Sequence, residues 1–182
     1  MKNTKYELRL TGSGGQGLIT AGVLLAEAVS LQGEYNVVQS QSYGPESRGG
    51  ASKSEVIISK EPIYFPKARK IDLLLSLSQD SCDTYFSALK GAGILLLDST
   101  FVHIVPHHTY TYNIPFTQIS QEKFGKAIYT NLISLGAISG LIDIIDIKSI
   151  EDAIKGRFPK KFHEANIAAL YEGEKLIKNY NV

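Results

Sequence analysis

The sequence predicts an α/β fold, a single Rossmann-like domain with a mixed, mainly parallel sheet flanked by helices and with a helical C-terminal part. Three observations carry this. A strand-like segment at residues 6–11 ends in a glycine cluster and opens a stretch, 16–32, with apolar Ile19, Val23, Ala26 and Val29 at helical spacing. Residues 72–78 and 94–98 are nearly continuous apolar runs, as expected of strands buried on both faces. From residue 127 onward the pattern is mostly helical.

The elements follow in order. Gly33 stops the first helix, and a strand at 35–40 completes a β-α-β unit in which a parallel pair is expected. After a loop at 42–50, residues 52–59 alternate small or polar side chains with Val56 and Ile58, as an edge or half-buried antiparallel strand does. A second β-α-β unit follows: strand 72–78, helix 80–89, a glycine turn at 91–93 and strand 94–98. Both of its strands are expected at the centre of the sheet. A strand at 110–114 precedes helices at 127–142, 149–155 and 162–180. Gly136 and Gly140, four apart, would let another element approach the first of these closely. There is no repeat, linker or low-complexity tract, so residues 1–182 read as one domain.

Composition narrows the function. With 182 residues, 43% hydrophobic, the chain can bury a core without disulfides. Its 19 basic and 18 acidic residues are interspersed, which gives no support to a nucleic-acid or membrane-surface partner. The longest apolar runs are far shorter than a membrane span, and the start of the chain lacks a secretory apolar core, so a cytoplasmic location is expected. A single cysteine, Cys82, excludes an internal disulfide and a four-thiolate iron-sulfur cluster held by this chain alone. It falls early in a helix, where the dipole would lower its pKa, although a lone cysteine is more often a small buried apolar residue. His103, His107 and His108 invite a metal reading, but Val105 and Pro106 oppose a regular helix and no acidic or thiol partner is near, so a solvated loop is expected. Lys160 and Lys161 read as solvent-facing surface.

Gly12, Gly14 and Gly17 have the spacing G-x-G-x-x-G between a strand and a helix, with Gly15 and Gln16 inside the loop. That context favours a phosphate or carboxylate at the helix start. A nicotinamide-binding domain places an acidic residue at the end of the second strand; here that region reads Val38-Gln39-Ser40-Gln41. The missing carboxylate argues against NAD. The same glycines also permit close strand-helix packing, or they serve a partner surface. A second glycine-rich loop contains Tyr43, Gly44, Pro45, Glu46, Arg48, Gly49 and Gly50. Arg48, beside Glu46 and the flexible pair Gly49-Gly50, can present a bidentate fork to a phosphate, a carboxylate or a partner's acidic side chain, or form an internal salt bridge that pins the loop. Tyr43 and Pro45 shape that loop.

The segment TGSGGQGLITAG followed by SQSYGPESRGGASKSEVIIS resembles the gamma chain of 2-oxoacid:ferredoxin oxidoreductases, and most closely the 2-oxoglutarate type. The resemblance continues through 72–77, 93–98, Asn131-Leu132, Leu135-Gly136-Ala137 and 166–173, nearly the whole chain. It implies a cytoplasmic assembly with alpha, beta and delta chains that decarboxylates a 2-oxoacid, passes the acyl group to coenzyme A and sends two electrons to ferredoxin. It further implies that thiamine diphosphate, Mg²⁺ and iron-sulfur clusters are held by the other subunits, with no catalytic or metal-binding residue on this one. Under this reading Gly12 to Gly17 and the loop with Arg48 are ligand or interface candidates, coenzyme A being the natural ligand. Two alternatives remain at this stage: a stand-alone NAD- or flavin-binding oxidoreductase, and a nucleotide-binding interaction domain.

Overall fold

The computed structural model describes residues 5–42 and 51–180. Strands β1 (Lys5–Ser13), β2 (Asn36–Ser42), β3 (Ala51–Ser59), β4 (Ile71–Ser76), β5 (Leu89–Asp98) and β6 (Thr111–Ile114) form one sheet in the order β2-β3-β1-β4-β5-β6. β1, β4, β5 and β6 are mutually parallel, and β3 is antiparallel to both of its neighbours. The helices are α1 (Leu18–Gln32), α2 (Gln79–Tyr85), α3 (Phe116–Phe124), α4 (Thr130–Leu141), α5 (Ile147–Arg157) and α6 (His163–Lys178). The α/β class, the mainly parallel sheet and the helical C-terminal part are as expected.

Strand alternation divides the core in two. Leu8, Leu10, Val56, Ile58, Leu73, Leu75 and Leu96 point to the face covered by α1, α4, α5 and α6. Ile57, Leu74, Leu95 and Leu97 point to the other, smaller layer, built from Cys82 of α2, Ala68 and Val102. On that second face β1 and β3 carry polar side chains. Arg9 and Glu55 pair across them with Nη2 to Oε1 at 2.6 Å, both buried, while Arg9 also donates to the carbonyl of Ala68 at 3.1 Å. The pair fixes the crossing segment, residues 60–70, against the sheet; removing one partner would leave a buried charge alone.

Several expectations are corrected. β1 and β2 do not pair: β3 lies between them, because β2 and β3 pair antiparallel along Asn36↔Ser59 to Ser42↔Lys53 and β3 then pairs with β1. β3 is therefore an internal strand, buried on both faces, and not an edge. The glycine turn at 91–93 falls within β5, as an irregular excursion where the register jumps from Ile71↔Leu89 to Leu73↔Ile94. α2 ends at Tyr85 and continues only as a 3-10 turn, Phe86–Ala88, before β5 begins. α3 was not expected from periodicity. It is held at its start by Asp98, whose buried carboxylate accepts from the Thr117 amide at 3.2 Å and the Thr117 hydroxyl at 2.5 Å.

The close approach expected at Gly136 is realised with α6. A Cβ on Gly136 would overlap the backbone carbonyl of Leu170, and a Cβ on Gly173 that of Ile133, so the two helices touch backbone to backbone at a reciprocal pair of glycines. No side-chain movement relieves such an overlap. Gly173→Ala is expected to destabilise the chain by about 1–3 kcal/mol, read as a fall in Tm of roughly 2–12 °C. An unchanged Tm would show that the helices shift apart freely.

Glu7 on β1 accepts hydrogen bonds from the amides of Arg69 (2.6 Å) and Lys70 (3.0 Å) and from Lys5 Nζ (2.6 Å), pinning the chain where it enters β4. Burial pushes its pKa up, but the Lys5 bond and the two backbone bonds outweigh that and hold it below its ordinary 4.5. A lowered folded pKa contributes stability that is full above 4.5 and lost as pH falls through the lowered value. Glu7→Gln is therefore expected to cost about 1–3 kcal/mol at pH 7, with the gap to wild type closing toward pH 3 in urea titrations. A gap independent of pH would contradict this.

Candidate functional site at the carboxyl end of the sheet

β1 leads into α1 on one face of the sheet, and its parallel neighbour β4 leads into α2 on the other. Their carboxyl ends therefore diverge and leave a crevice, the position where open α/β sheets bind ligands. It measures ≈ 370 Å³ and is lined in part by Ser13, Gln16, Ser78, Gln79 and Phe101. The glycine loop forms its β1 side.

Within the loop the residues divide by role. The Gln16 side chain lies across the crevice: its Oε1 accepts from the Ser13 amide at 2.7 Å and its Nε2 donates to the Leu77 carbonyl at 3.1 Å. A Cβ on Gly12 would collide with that amide. Gly17, the residue capping α1, has φ 73°, and a Cβ there would meet Asn131 Nδ2 at 2.5 Å. Gly12 and Gly17 are thus required by packing inside the chain. Gly14 and Gly15 are different: both are exposed, and an added Cβ would meet none of the described residues within 4 Å, although the φ of 90° at Gly15 favours glycine.

The second glycine-rich loop is anchored at the same end. Ser42 pairs with Lys53, and Ala51 pairs with Ser13 at the foot of the first loop. Tyr43, Gly44, Pro45, Glu46, Arg48, Gly49 and Gly50 themselves lie outside the described residues.

Two exposed apolar groups flank this end. Phe101, Ile104 (73% exposed) and Val105 follow β5. Gln79 holds that loop, accepting from the amides of His103 (2.9 Å) and Ile104 (3.0 Å) and donating to the Ile104 carbonyl (3.1 Å). On the other side Ile128 (67% exposed) and Phe162 border a cleft beside α1. Gln79 and Phe162 were not singled out from sequence; a glutamine in a polar helix start and a phenylalanine in an amphipathic helix carry no distinctive signal.

The nicotinamide alternative loses its geometry as well as its carboxylate. The second strand of a dinucleotide fold lies beside the first, whereas β3 separates β2 from β1 by a full strand spacing, and Gln39 is engaged with Ser54 Oγ at 2.9 Å. Cys82 does not have a lowered pKa: burial, with the neighbouring Asp83 charge, pushes the thiol up to about 11. His108 Nε2 contacts the Gly93 carbonyl at 2.7 Å, in a loop with no helix through 103–108. Among the described residues no group of three His, Cys, Asp or Glu side chains is placed to hold a metal ion, and no helix is long and apolar enough to cross a membrane. A lone, buried, high-pKa thiol does not fit an iron-sulfur cluster.

Residues 7–176 match the pyruvate ferredoxin/flavodoxin oxidoreductase family. The chain belongs to that family. It is 46% identical over 177 residues to the 2-oxoglutarate synthase subunit KorC of Methanocaldococcus jannaschii, a match that covers 96% of this chain and 95% of that one. The gamma subunit of a keto/oxoacid ferredoxin oxidoreductase from Geobacter sulfurreducens superposes with a TM-score of 0.86 at 42% identity, covering 95% and 96% of the two chains. The 2-oxoglutarate:ferredoxin oxidoreductase of Magnetococcus marinus, solved with 2-oxoglutarate, coenzyme A and succinyl-CoA bound, shares the fold at a TM-score of 0.88 and 20% identity; this chain spans 32% of it. The fold and size of this family member are those of an oxidoreductase gamma subunit.

The Gln16 bridge yields a direct test. Gln16→Ala removes both hydrogen bonds across the crevice and is expected to lower stability by about 1–2 kcal/mol. Thermal unfolding checks it, and an unchanged Tm would mean that water replaces the amide without loss.

Proposed function

We propose that this chain is the gamma subunit of a thiamine-diphosphate-dependent 2-oxoglutarate:ferredoxin oxidoreductase, in which 2-oxoglutarate and coenzyme A yield succinyl-CoA and CO₂ while two electrons pass to ferredoxin. The observation that carries the reading is the near full-length match to a 2-oxoglutarate synthase subunit, at 46% identity. On this reading thiamine diphosphate, Mg²⁺ and the iron-sulfur clusters are held by alpha, beta and delta partners; the single cysteine, Cys82, cannot supply the four thiolates of a cluster.

The role left to this chain is assembly and ligand positioning at the carboxyl end of its sheet. Two glycine-rich loops start there, Gly14 and Gly15 present bare backbone outward, and rigid apolar groups stand on either side. Backbone without side chains permits close approach by another surface or by the diphosphate of coenzyme A, and Arg48 supplies a cationic fork from the second loop. Because Gln16 spans the base of the crevice between Ser13 and Leu77, such a ligand would lie above it, against Gly14 and Gly15.

The experiment is anaerobic purification of the chain from its own cells, identification of what co-purifies, and assay of coenzyme-A-dependent ferredoxin reduction with several 2-oxoacids. Co-purification with thiamine- and cluster-binding chains, and greatest activity on 2-oxoglutarate, is the expected result; a lone colourless protein would sink the reading. Gly14→Leu sharpens it. The substitution is expected to leave the Tm of the isolated chain within about 2 °C of wild type, since the site is open, yet to reduce recovery of the partner chains or raise KM for coenzyme A. No change in either would remove Gly14 from the functional face.

A further inference from the structure

The two faces of the sheet are covered unequally. Helices α1, α4, α5 and α6 cover one; on the other, the described residues place the seven-residue α2, while residues 60–70 and 99–110 complete the layer through Ile63, Ala68 and Val102. The exposed apolar side chains follow this division. Of nine large hydrophobic side chains exposed among the described residues, six stand on these two segments: Tyr64, Phe65, Phe101, Ile104, Val105 and Tyr110. Such groups scattered singly over a surface need no explanation, but gathered on the thin layer of a sheet they mark an interface. They are also held in place. Gln79 fixes the backbone at His103 and Ile104 through three hydrogen bonds, and the Arg69 guanidinium lies over the Phe65 ring at 4.5 Å.

The segment 60–70 adds charge. Lys60, Lys67, Arg69 and Lys70 are all exposed, against one carboxylate, Glu61, which gives these residues a formal charge of +3 in a chain of +1. Lys60 lies over the Tyr35 ring at 5.5 Å. The ion pairs among the described residues use none of the four cations. Beside them Tyr64 is 91% exposed.

We propose that this thin face docks the chain onto another subunit of the oxidoreductase, one that presents carboxylates to residues 60–70 and an apolar hollow to Ile104 and Tyr64. The inference rests on the subunit reading above and adds to it the surface used and the chemistry it meets. Opposite charge at the rim sets orientation and rejects wrong partners, and preorganised apolar anchors carry the affinity. A nucleic acid would engage the cations and stack on the aromatic rings, but it leaves the aliphatic Ile104 and Val105 nothing to bury against. A second copy of this chain offers Glu61, Asp80 and Asp83 on the same face, and Asp83 already accepts from Gln79 at 2.9 Å, so fewer carboxylates than cations remain to meet them.

The test compares lysine acylation in the assembled complex and in the isolated chain, read by mass spectrometry. Lys60, Lys67 and Lys70 are expected to lose reactivity in the complex, and a carbodiimide, which joins amines to carboxylates in contact, is expected to link at least one of them to Asp or Glu of another subunit. A competition adds a second readout. When tagged wild-type and variant chains are expressed together, Lys67→Glu with Lys70→Glu, and separately Ile104→Asp, are expected to enter the complex at least about tenfold less than wild type. The isolated variants are expected to keep their Tm within about 2 °C, since the altered side chains are exposed. Lysines as reactive in the complex as in the isolated chain would leave this face to a lipid or nucleic-acid surface and overturn the inference. Carbodiimide links only between copies of this chain, or equal incorporation of the variants, would overturn it as well. A chain recovered without partners removes the subunit reading and this inference together; an active complex with unprotected lysines removes the inference alone.

Discussion

The structure depends on the way one side chain resolves the divergence of two parallel strands. β1 and β4 must separate at their carboxyl ends because their following helices lie on opposite faces, and separation exposes backbone groups that no ladder satisfies. In dinucleotide-binding α/β folds a phosphate meets such groups at the start of the first helix. Here the Gln16 amide does so from within the chain, one end on the Ser13 amide and the other on the Leu77 carbonyl. The base of the crevice becomes a structural joint between β1 and the end of β4.

That joint orders the rest of the carboxyl end. Gly12 and Gly17 are consumed by internal packing against Gln16 and Asn131, while Gly14 and Gly15 are exposed with none of the described residues above them. The loop after β5 is fixed by Gln79, and α3 by Asp98, so the apolar side chains near the sheet end are presented on firm backbone. Preorganised surfaces lose less entropy on association.

Much of this was legible in the sequence, for identifiable reasons. Long apolar strands at 72–77 and 94–98 and the helical spacing from Ile19 to Val29 reflect burial, which periodicity reports directly. The glycine loop was legible as a motif, and Gly136 as a close-approach position. The position of β3 was not, because strand order depends on pairing between distant segments, and residues 52–59 alternate as an edge strand does. α3 was hidden because Phe116, Thr117 and Ser120 form its buried side with little apolar contrast. At the candidate site, the glycines could be named but not sorted, since only the coordinates show which are pressed against Gln16 or Asn131 and which face open space.

The insertion of β3 between β1 and β2 also bears on the route by which the chain folds. β2 and β3 are close in sequence and pair antiparallel, so their ladder closes a short loop at small entropic cost. β1 must then be captured between β3 and β4, each pairing spanning several tens of residues. The β2–β3 ladder is thus the local pairing of the sheet, while both ladders of β1 join segments distant in sequence, the kind of contact that slows folding. Synthesis from the N-terminus releases β1 before either neighbour exists, leaving its apolar residues Leu8 and Leu10 to wait, unpaired, for partners not yet made.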